Sequence, residues 1–315
     1  MDNLTHSLAG WALGQAGLKT QSRKGLAALI LAANMPDIDV FFGWSPWEPL
    51  AMHRGFTHSL VGGVVIMPPI LFGLLWLLDR WQRSRGAEFK SNLPMRPWWL
   101  LALCYLGALT HPFLDLLTTY SVQLLSPFSG RWFHADGLFI IDIWIWLALA
   151  ISIGVSKRRE ERGQEWRRLP QAAILFVIVY VGLNLLISDR AVAAARAERP
   201  RAEAIFASPR PVAFWDRRLV WREDGCYRWR TFDPFNGSSP VGRCEPTTMN
   251  DPRVRDAINR TPSFQSFLRW SVLPQAQVTQ RRCSVTVTLS DARYGDRSSS
   301  LLGRDVELPT GAPGC

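Results

Sequence analysis

Long apolar runs alternate with short charged stretches through the first 190 residues of this 315-residue chain. Four of the runs, 59–78, 97–118, 138–155 and 169–188, approach the ~20 residues that cross the hydrocarbon core of a bilayer. Two shorter apolar segments, 4–18 and 25–36, precede them, and we expect these to form an N-terminal helical hairpin. The pattern predicts an all-α polytopic membrane helix bundle over residues 1–190.

Residues 191–315 have a different character, being polar and rich in arginine. Apolar and polar residues alternate over 283–289, which predicts a strand. The segments 219–221 and 226–230 predict a strand pair around Asp224-Gly225, and 251–259 predicts a short helix. Residues 190–204 are interpreted as a helical extension of the last span. The second part is therefore predicted to be a small α+β or mostly β soluble domain.

Basic residues are unevenly divided among the predicted loops. Two lie in alternate loops, Arg54 and Arg131, whereas fourteen lie in the others: Lys19, Arg23, Lys24, Arg80, Arg83, Arg85, Lys90, Arg96, Lys157, Arg158, Arg159, Arg162, Arg167 and Arg168. The positive-inside rule places the larger set in the cytoplasm, so the C-terminal domain is predicted to be extracytoplasmic. We attribute the formal net charge of +10 to the basic residues that collect in cytoplasmic loops, and no nucleic-acid partner is expected.

The cysteines agree with that orientation. Cys104 lies in a predicted span, whereas Cys226, Cys244, Cys283 and Cys315 lie in the outer domain. Four cysteines there fit two disulfides in an oxidising compartment, with four free thiols as the alternative. No C-x-x-C spacing occurs, so a zinc–thiolate site is not expected. The first residues carry no basic stretch, and a cleaved signal peptide is not expected either.

Histidines and aspartates form five small clusters in the first half of the chain. They are His6, then Asp37 with Asp39, then His53 with His58, then His111 with Asp115, and then His134 with Asp136. Each cluster alone is compatible with helix capping or packing. The predicted topology, however, brings all of them to one level near the outer face. His111, for example, lies about 14 residues, or roughly 21 Å, into a span that starts inside.

Ionisable groups within a membrane need partners, and a mixed His/Asp set can satisfy itself through a divalent metal. We predict His6, Asp37, Asp39, His53, His58, His111 and Asp115 as metal ligands, with His134, Asp136 and Asp142 in supporting positions. Such a set suits zinc best, with manganese or iron also suitable, and has room for one or two ions. Asp39 and Asp115 are candidates for catalysis. Arg54 is a candidate for steadying an anionic oxygen, with a lipid headgroup anchor as its alternative.

The clusters together resemble the YdjM-like family of membrane-bound metal-dependent hydrolases, part of which is regulated by the SOS repressor LexA. The shared motifs are T-H at 5–6, P-D-I-D at 36–39, H-R-G-F-T-H-S at 53–59, H-P-F-L-D-L-L-T-T at 111–119, P-F-S at 127–129 and I-I-D at 140–142. The resemblance covers roughly residues 1–145. It implies membrane helices, a divalent metal, hydrolase activity and a place in the bacterial cytoplasmic (inner) membrane.

The leading hypothesis is therefore a membrane-bound hydrolase in which a metal-activated water attacks a lipid or lipid-linked ester or phosphoester. Aromatic residues nearby, Trp44, Trp47, Trp132 and Phe133, favour a substrate arriving from the bilayer, although an interfacial aromatic belt is their alternative explanation. A second hypothesis is a transporter or ion-handling protein that uses the His/Asp cluster to bind metal or protons. A third, a structural protein whose outer domain binds a partner, leaves the clusters unexplained.

Overall fold

Helices form the first part of the chain and two β-sheets form most of the second. The structure, a computed structural model, describes residues 1–42, 53–89, 91–295 and 304–309. It divides into two compact units, Met1–Leu185 and Leu186–Cys315.

The first unit is built from α1 (Asn3–Gln15), α2 (Gly25–Asn34), α3 (Met67–Ser84), α4 (Pro97–Leu116), α5 (Ile143–Glu161) and most of α6 (Arg168–Glu198). Short 3-10 helices cover Leu18–Thr20, Met35–Phe42 and Phe56–His58. A π-helix, Leu60–Ile66, runs directly into α3. Two helix starts have a clear local cause, because the Asp2 and Asp142 carboxylates accept backbone N–H groups at the beginning of α1 and α5.

Among the described residues, three helical stretches are long and apolar enough to cross a membrane: Leu60–Ser84, Pro97–Leu116 and Arg168–Glu198. Many of their large apolar side chains face outward, as Leu77 (57% exposed) and Ile178 (62% exposed) do. The predicted fourth span, 138–155, is not among the three. Its helix α5 begins only at Ile143, where Asp142 caps it, and its last turns carry Lys157, Arg158 and Arg159.

Helix α2 lies between α1 and α4, and two glycines allow this close packing. A Cβ atom on Gly10 of α1, or on Gly107 of α4, would lie 2.6 Å from the carbonyl oxygen of Leu29 in α2. Side chains at either position would push the helices apart. Leu29 and Ala32 of α2 are fully buried against α3 and α4. This packing fixes the end of α2, where the predicted P-D-I-D segment begins.

In its described residues, the second unit contains two antiparallel sheets, two short α-helices and a 3-10 helix, Ala292–Tyr294. One sheet is formed by β1 (Ala204–Pro209), β2 (Arg217–Glu223), β3 (Cys226–Asp233), β4 (Gly237–Ser238) and β5 (Glu245–Pro246), in the order β1-β2-β3-β4 with β5 also on β3. The other is formed by β6 (Pro274–Gln280), β7 (Ser284–Asp291) and β8 (Arg304–Pro309) in that order. Between the sheets in the chain lie α7 (Pro252–Arg260) and α8 (Pro262–Trp270).

This arrangement confirms the local predictions for the second part. Glu223 pairs with Cys226 across the turn at Asp224-Gly225, and both turn residues have positive φ, 51° and 72°. The predicted strand at 283–289 is β7 and the predicted helix is α7. The helical extension predicted over 190–204 is shorter, since α6 ends at Glu198 and β1 begins at Ala204. Of the two expected domain types, the unit is α+β.

Covalent and ionic links hold the second unit together. Cys226 and Cys244 form a disulfide, and Cys283 is also disulfide-bonded. Cys315, the fourth cysteine of the predicted set, lies outside the described residues. The fully buried Asp291 and Arg293 form an ion pair, with Arg293 Nε donating to Asp291 Oδ1 at 2.9 Å. Burial alone would raise the pKa of Asp291, but the Arg293 guanidinium and hydrogen bonds outweigh burial and hold it below its usual value.

Candidate metal centre

The 3-10 helix Met35–Phe42 brings two carboxylates inward directly after α2. Asp37 and Asp39 are buried, whereas Ile38, Val40 and Phe41 are 41%, 51% and 73% exposed. This 3-10 helix follows the part of α2 that packs against Gly107. It separates acidic from apolar side chains within a few residues. One face of this segment belongs to the interior of the unit, and the other faces outward.

Helix α4 contributes a histidine and a carboxylate to the same place. His111 and Asp115 are one turn apart and lie on one face of the helix, with His111 Nε2 3.3 Å from Asp115 Oδ2. Both are 0% exposed. Pro112 lies inside the helix between them and leaves it continuous to Leu116.

His6 and His58 complete a group of three imidazoles. The His58 Nε2 atom lies 3.1 Å from Asp37 Oδ1 and 3.4 Å from Asp115 Oδ2. His6 Nε2 lies 3.5 Å from Asp115 Oδ1, and its ring stacks on that of His111 with the centroids 3.8 Å apart. Three Nε2 atoms thus surround two carboxylates that come from separate elements.

Hydrogen bonds on the far side of two rings leave Nε2 as the atom that would meet a metal. His111 Nδ1 lies 2.6 Å from the Ala33 carbonyl oxygen, which can only accept, so Nδ1 carries the proton. The Thr57 hydroxyl donates to Asp39 at 2.8 Å, so the contact of 3.0 Å with His58 Nδ1 is a donation from the imidazole. A neutral ring protonated at Nδ1 leaves its Nε2 lone pair for a cation.

Several buried atoms of the cluster have no hydrogen-bond partner within the described part of the chain. They are His6 Nε2, His111 Nε2, Asp37 Oδ2 and Asp115 Oδ2, together with His6 Nδ1. Buried polar atoms without partners are rare in folded proteins because desolvation is costly. A divalent cation would satisfy imidazole and carboxylate atoms at once, so the residues present fit a metal.

Three sets of residues have ligand atoms within 4.8 Å of one another: His6 with His111 and Asp115, Asp37 with His58 and His111, and Asp39 with His53 and His58. The second set shares His111 with the first set and His58 with the third, whereas the first and third sets have no residue in common. The cluster therefore offers places for one ion or for two neighbouring ions. Together, the sets contain all seven residues that were predicted as ligands.

Asp39 contacts both of the histidines that flank the H-R-G-F-T-H motif. Its Oδ1 accepts from His53 Nδ1 at 3.0 Å, and its Oδ2 lies 3.2 Å from His58 Nδ1. Burial on its own would raise the pKa of Asp39, but the hydrogen bonds with these two imidazoles outweigh burial and keep it below the usual range. Asp39 is thus a carboxylate that orients His58, and its side of the cluster opens through His53, whose side chain is 32% exposed.

Arg54 is a buried cation beside the cluster, not an exposed side chain. It is 1% exposed, and its Nη1 donates to Thr118 Oγ1 at 2.9 Å, while its Nη2 lies 3.3 Å from Asp115 Oδ1. The guanidinium also lies 4.8 Å from the centre of the Tyr120 ring. The left-handed backbone of Arg54, with φ 64°, lets its own N–H contact Asp39 at 3.2 Å.

Three predicted supporting residues lie outside these sets. His134 pairs with Asp136, with 2.8 Å between Nδ1 and Oδ2. Asp142 caps α5 and accepts from the Tyr180 hydroxyl at 2.9 Å, which is a structural role. Trp44 and Trp47 lie outside the described residues.

Three contributors to the site were not predicted from the sequence. The Ala33 carbonyl is a backbone group, and no residue pattern marks it. Thr57 lies within the H-R-G-F-T-H-S motif, and its hydroxyl between Asp39 and His58 gives that motif position a physical role. The backbone nitrogen of Met1 also donates a hydrogen bond to Asp115.

The fold and the site define a class: a membrane protein with a buried His/Asp cluster among its helices. The comparison with family models agrees, since the model for the YdjM inner membrane protein matches residues 1–191, and the chain belongs to that family. This match includes every residue of the three candidate ligand sets.

A relative is the protein of Bacillus subtilis (strain 168) called uncharacterized protein YfhP. It is 29% identical over 143 residues, which is 42% of this chain and 39% of YfhP. The aligned part thus spans about two fifths of the length of that curated relative. No solved structure matches the chain.

Proposed function

We propose that the protein is a membrane-bound, metal-dependent hydrolase that acts on a lipid or a lipid-linked ester, with a phosphoester as the preferred bond. The observation that carries the proposal is the convergence of His6, His58 and His111 on Asp37 and Asp115, with buried atoms left unpartnered. Zinc is the preferred ion for such donors, with manganese or iron as further possibilities.

A divalent ion held here would supply Lewis acidity toward a phosphoryl or carbonyl oxygen and would make a water molecule more acidic. His58 and His111 would hold it through Nε2, with Thr57 and Ala33 fixing the two rings. The Asp39 carboxylate positions His53 and is a candidate general base. Asp115 would balance part of the charge of the ion, and Arg54 steadies this carboxylate.

Arg54 favours an anionic substrate. Its Nε is buried and has no hydrogen-bond partner within the part of the chain that the structure describes. A guanidinium binds phosphate and carboxylate oxygens strongly because its N–H groups form a planar fork. A phosphoester oxygen beside the metal would meet this charge, which is why we prefer a phosphoester over a neutral ester.

The apolar face of the Met35–Phe42 segment favours a lipid. Ile38, Val40 and Phe41 are exposed on the side opposite Asp37 and Asp39, and Phe56 and Leu60 are 44% and 45% exposed on the neighbouring segment. Apolar side chains directly outside a polar cluster suit a substrate whose tail stays in the bilayer while its headgroup reaches the metal.

The proposal includes a topology. We propose that α5 is a fourth span, that the protein is a multi-pass protein of the bacterial cytoplasmic membrane, and that the unit Leu186–Cys315 is extracytoplasmic. The distribution of basic residues supports this orientation. The Cys226–Cys244 disulfide supports an oxidising compartment for the second unit.

Metal analysis of the purified full-length protein tests the proposal. We expect stoichiometric divalent metal in the wild type and loss of the metal in His58→Ala and Asp115→Ala. His134→Ala and Asp136→Ala are matched controls, because this pair lies outside the three sets, and both should keep the metal. A wild type without bound metal would rule out the hydrolase.

A second measurement separates hydrolysis from ion handling. Phospholipids, lipid phosphates and simple esters would be incubated with the wild type, with chelator and after readdition of zinc. We expect hydrolysis that chelator abolishes and zinc restores. Metal binding without hydrolysis, combined with metal flux in proteoliposomes, would instead establish the transporter alternative.

A further inference from the structure

A second polar feature of the helical unit lies at the charged end of α3. A cavity of about 380 Å³ is lined there by Trp76, Asp79, Arg80, Arg83, Ser84 and Met95. The first five lie in the last turns of the candidate span Leu60–Ser84, and Met95 immediately precedes α4. We propose that this cavity binds the phosphate of an anionic phospholipid. The site is independent of the proposed hydrolase activity.

The net charge of the cavity is positive because its one carboxylate is already neutralised. Asp79 is 3% exposed and accepts two hydrogen bonds from Arg23, from Nε at 2.7 Å and from Nη2 at 3.0 Å. Arg80 and Arg83 are exposed and form no ion pair with a described carboxylate. Arg80 also lies 5.8 Å from the centre of the Trp76 ring, so both guanidinium groups face the cavity without a competing carboxylate among the described residues.

The wall of the cavity is held in place by three segments of the chain. Arg23, just before α2, is tied to α3 through Asp79, and its guanidinium lies 4.5 Å from the centre of the Phe89 ring. Its backbone N–H donates to the Pro94 carbonyl at 3.0 Å, next to Met95. A fixed wall lowers the ordering cost of binding a ligand.

The lining suits a lipid phosphate better than a free phosphate. Arg80 and Arg83 offer donors, whereas Trp76 and Met95 offer an apolar wall for the glycerol and the first acyl carbons. Basic pockets between membrane helices, at the level of the headgroups, are suited to anionic lipids. If Arg80 and Arg83 served only to orient the protein in the membrane, their positive charge would be sufficient and no particular geometry would be needed.

Lipid binding by the full-length protein in detergent tests the proposal. The probe is a fluorescent short-chain phosphatidylglycerol, with phosphatidylcholine and inorganic phosphate as competitors. We expect Arg80→Gln/Arg83→Gln to weaken phosphatidylglycerol binding about tenfold or more, since two juxtamembrane charges are removed. The matched control, Arg158→Gln/Arg159→Gln at the end of α5, removes the same charge elsewhere and should bind as the wild type does.

A charge-preserving variant makes the test specific. Arg80→Lys/Arg83→Lys should also bind phosphatidylglycerol more weakly than the wild type, because an ammonium cannot form the guanidinium fork. Equal weakening in the α5 control, or unchanged binding in the lysine variant, would show a diffuse charge effect and overturn the site. Displacement of the probe by phosphatidylcholine or inorganic phosphate as effective as that by phosphatidylglycerol would overturn the lipid assignment.

Discussion

At the level of single residues, two histidines of the candidate metal centre are oriented by the contacts of the ring nitrogen that faces away from the cluster. His111 is fixed by the Ala33 carbonyl and His58 by Thr57 and Asp39, so each presents Nε2 to the cluster. Neighbouring groups of this kind commonly set the affinity of a metal site as much as the ligands do. Asp39 contacts both His53 and His58, so a change of its charge tests how far these contacts set the metal affinity.

The variant Asp39→Asn tests that role. Asparagine keeps the shape of the side chain but removes the charge that faces His53 and His58. We expect metal affinity to fall about 10- to 100-fold, with the fold retained. Competition with a chelating dye measures the affinity, and thermal unfolding reports the fold.

The control for this variant is Asp142→Asn, an equal change at the cap of α5. Asparagine caps helices about as well as aspartate does, so metal affinity and folding should both stay close to the wild type. Equal affinity in Asp39→Asn and the wild type would show that Asp39 orients neither histidine.

The sequence predicts the residues of the site better than it predicts their roles. The spacing of His111 and Asp115 already places both side chains on one helix face. Ala33 could not be predicted, since a backbone acceptor leaves no mark on the sequence. From the sequence, Arg54 could either steady an anionic oxygen or anchor a lipid headgroup. The fold shows that this side chain is buried against Thr118 and Asp115.

At the level of elements, the sequence predicts helices and strands correctly where the pattern is local. It misplaces a helix boundary where the boundary depends on a capping residue. The turn at Asp224-Gly225 and the strand β7 follow from residue type and alternation. The start of α5 at Ile143 does not, because the apolar run begins at Leu138, before the Asp142 cap. That shift and the basic end of the helix keep α5 out of the set of clear spans.

The end of strand β7 gives a prediction of pH dependence. Asp291 accepts from Arg293, from the Val272 N–H at 2.9 Å and from the Leu273 N–H at 3.3 Å. Its pKa is lower in the folded state than the value of about 3.9 in unfolded chains. Its stabilising effect is therefore complete above the unfolded pKa and is lost as the pH falls through the folded pKa.

The variant Asp291→Asn should thus lower the unfolding free energy near neutral pH by about 3 kcal/mol or more, since it leaves Arg293 buried without its carboxylate. The difference between wild type and variant should shrink as the pH is lowered toward 3. Thermal and denaturant unfolding across this range measure it. Asp256→Asn, which breaks the exposed pair with Arg260, should change stability by less than about 1 kcal/mol at every pH. A difference for Asp291→Asn that does not vary with pH would contradict the ionic explanation.

At the level of the whole molecule, the division into a helical unit and an α+β unit follows the change in composition along the chain. The orientation proposed for the membrane rests on the basic residues, because charge in short loops decides which side stays in the cytoplasm. Long polar domains translocate largely regardless of their own arginines. The many arginines of the second unit are therefore compatible with an outer location.

Reporter fusions test this orientation. Alkaline phosphatase fused after Cys315 should be active, and a fluorescent protein that matures only in the cytoplasm should be dark there. The same two reporters fused after Gly86, between α3 and α4, should give the opposite results. A cytoplasmic signal from the Cys315 fusion would reverse the topology and would place the Cys226–Cys244 disulfide in a reducing compartment.

The segregation of side chains along Met35–Phe42 has a consequence for how this segment can vary. Its two faces are assigned residue by residue, with Asp37 and Asp39 inward and Ile38 and Val40 outward. Exchanging one apolar side chain for another on the outer face leaves that assignment intact. Inserting or deleting a single residue would turn carboxylates outward and aliphatic groups toward the histidines. The segment should therefore tolerate substitutions at its outer positions but not insertions or deletions.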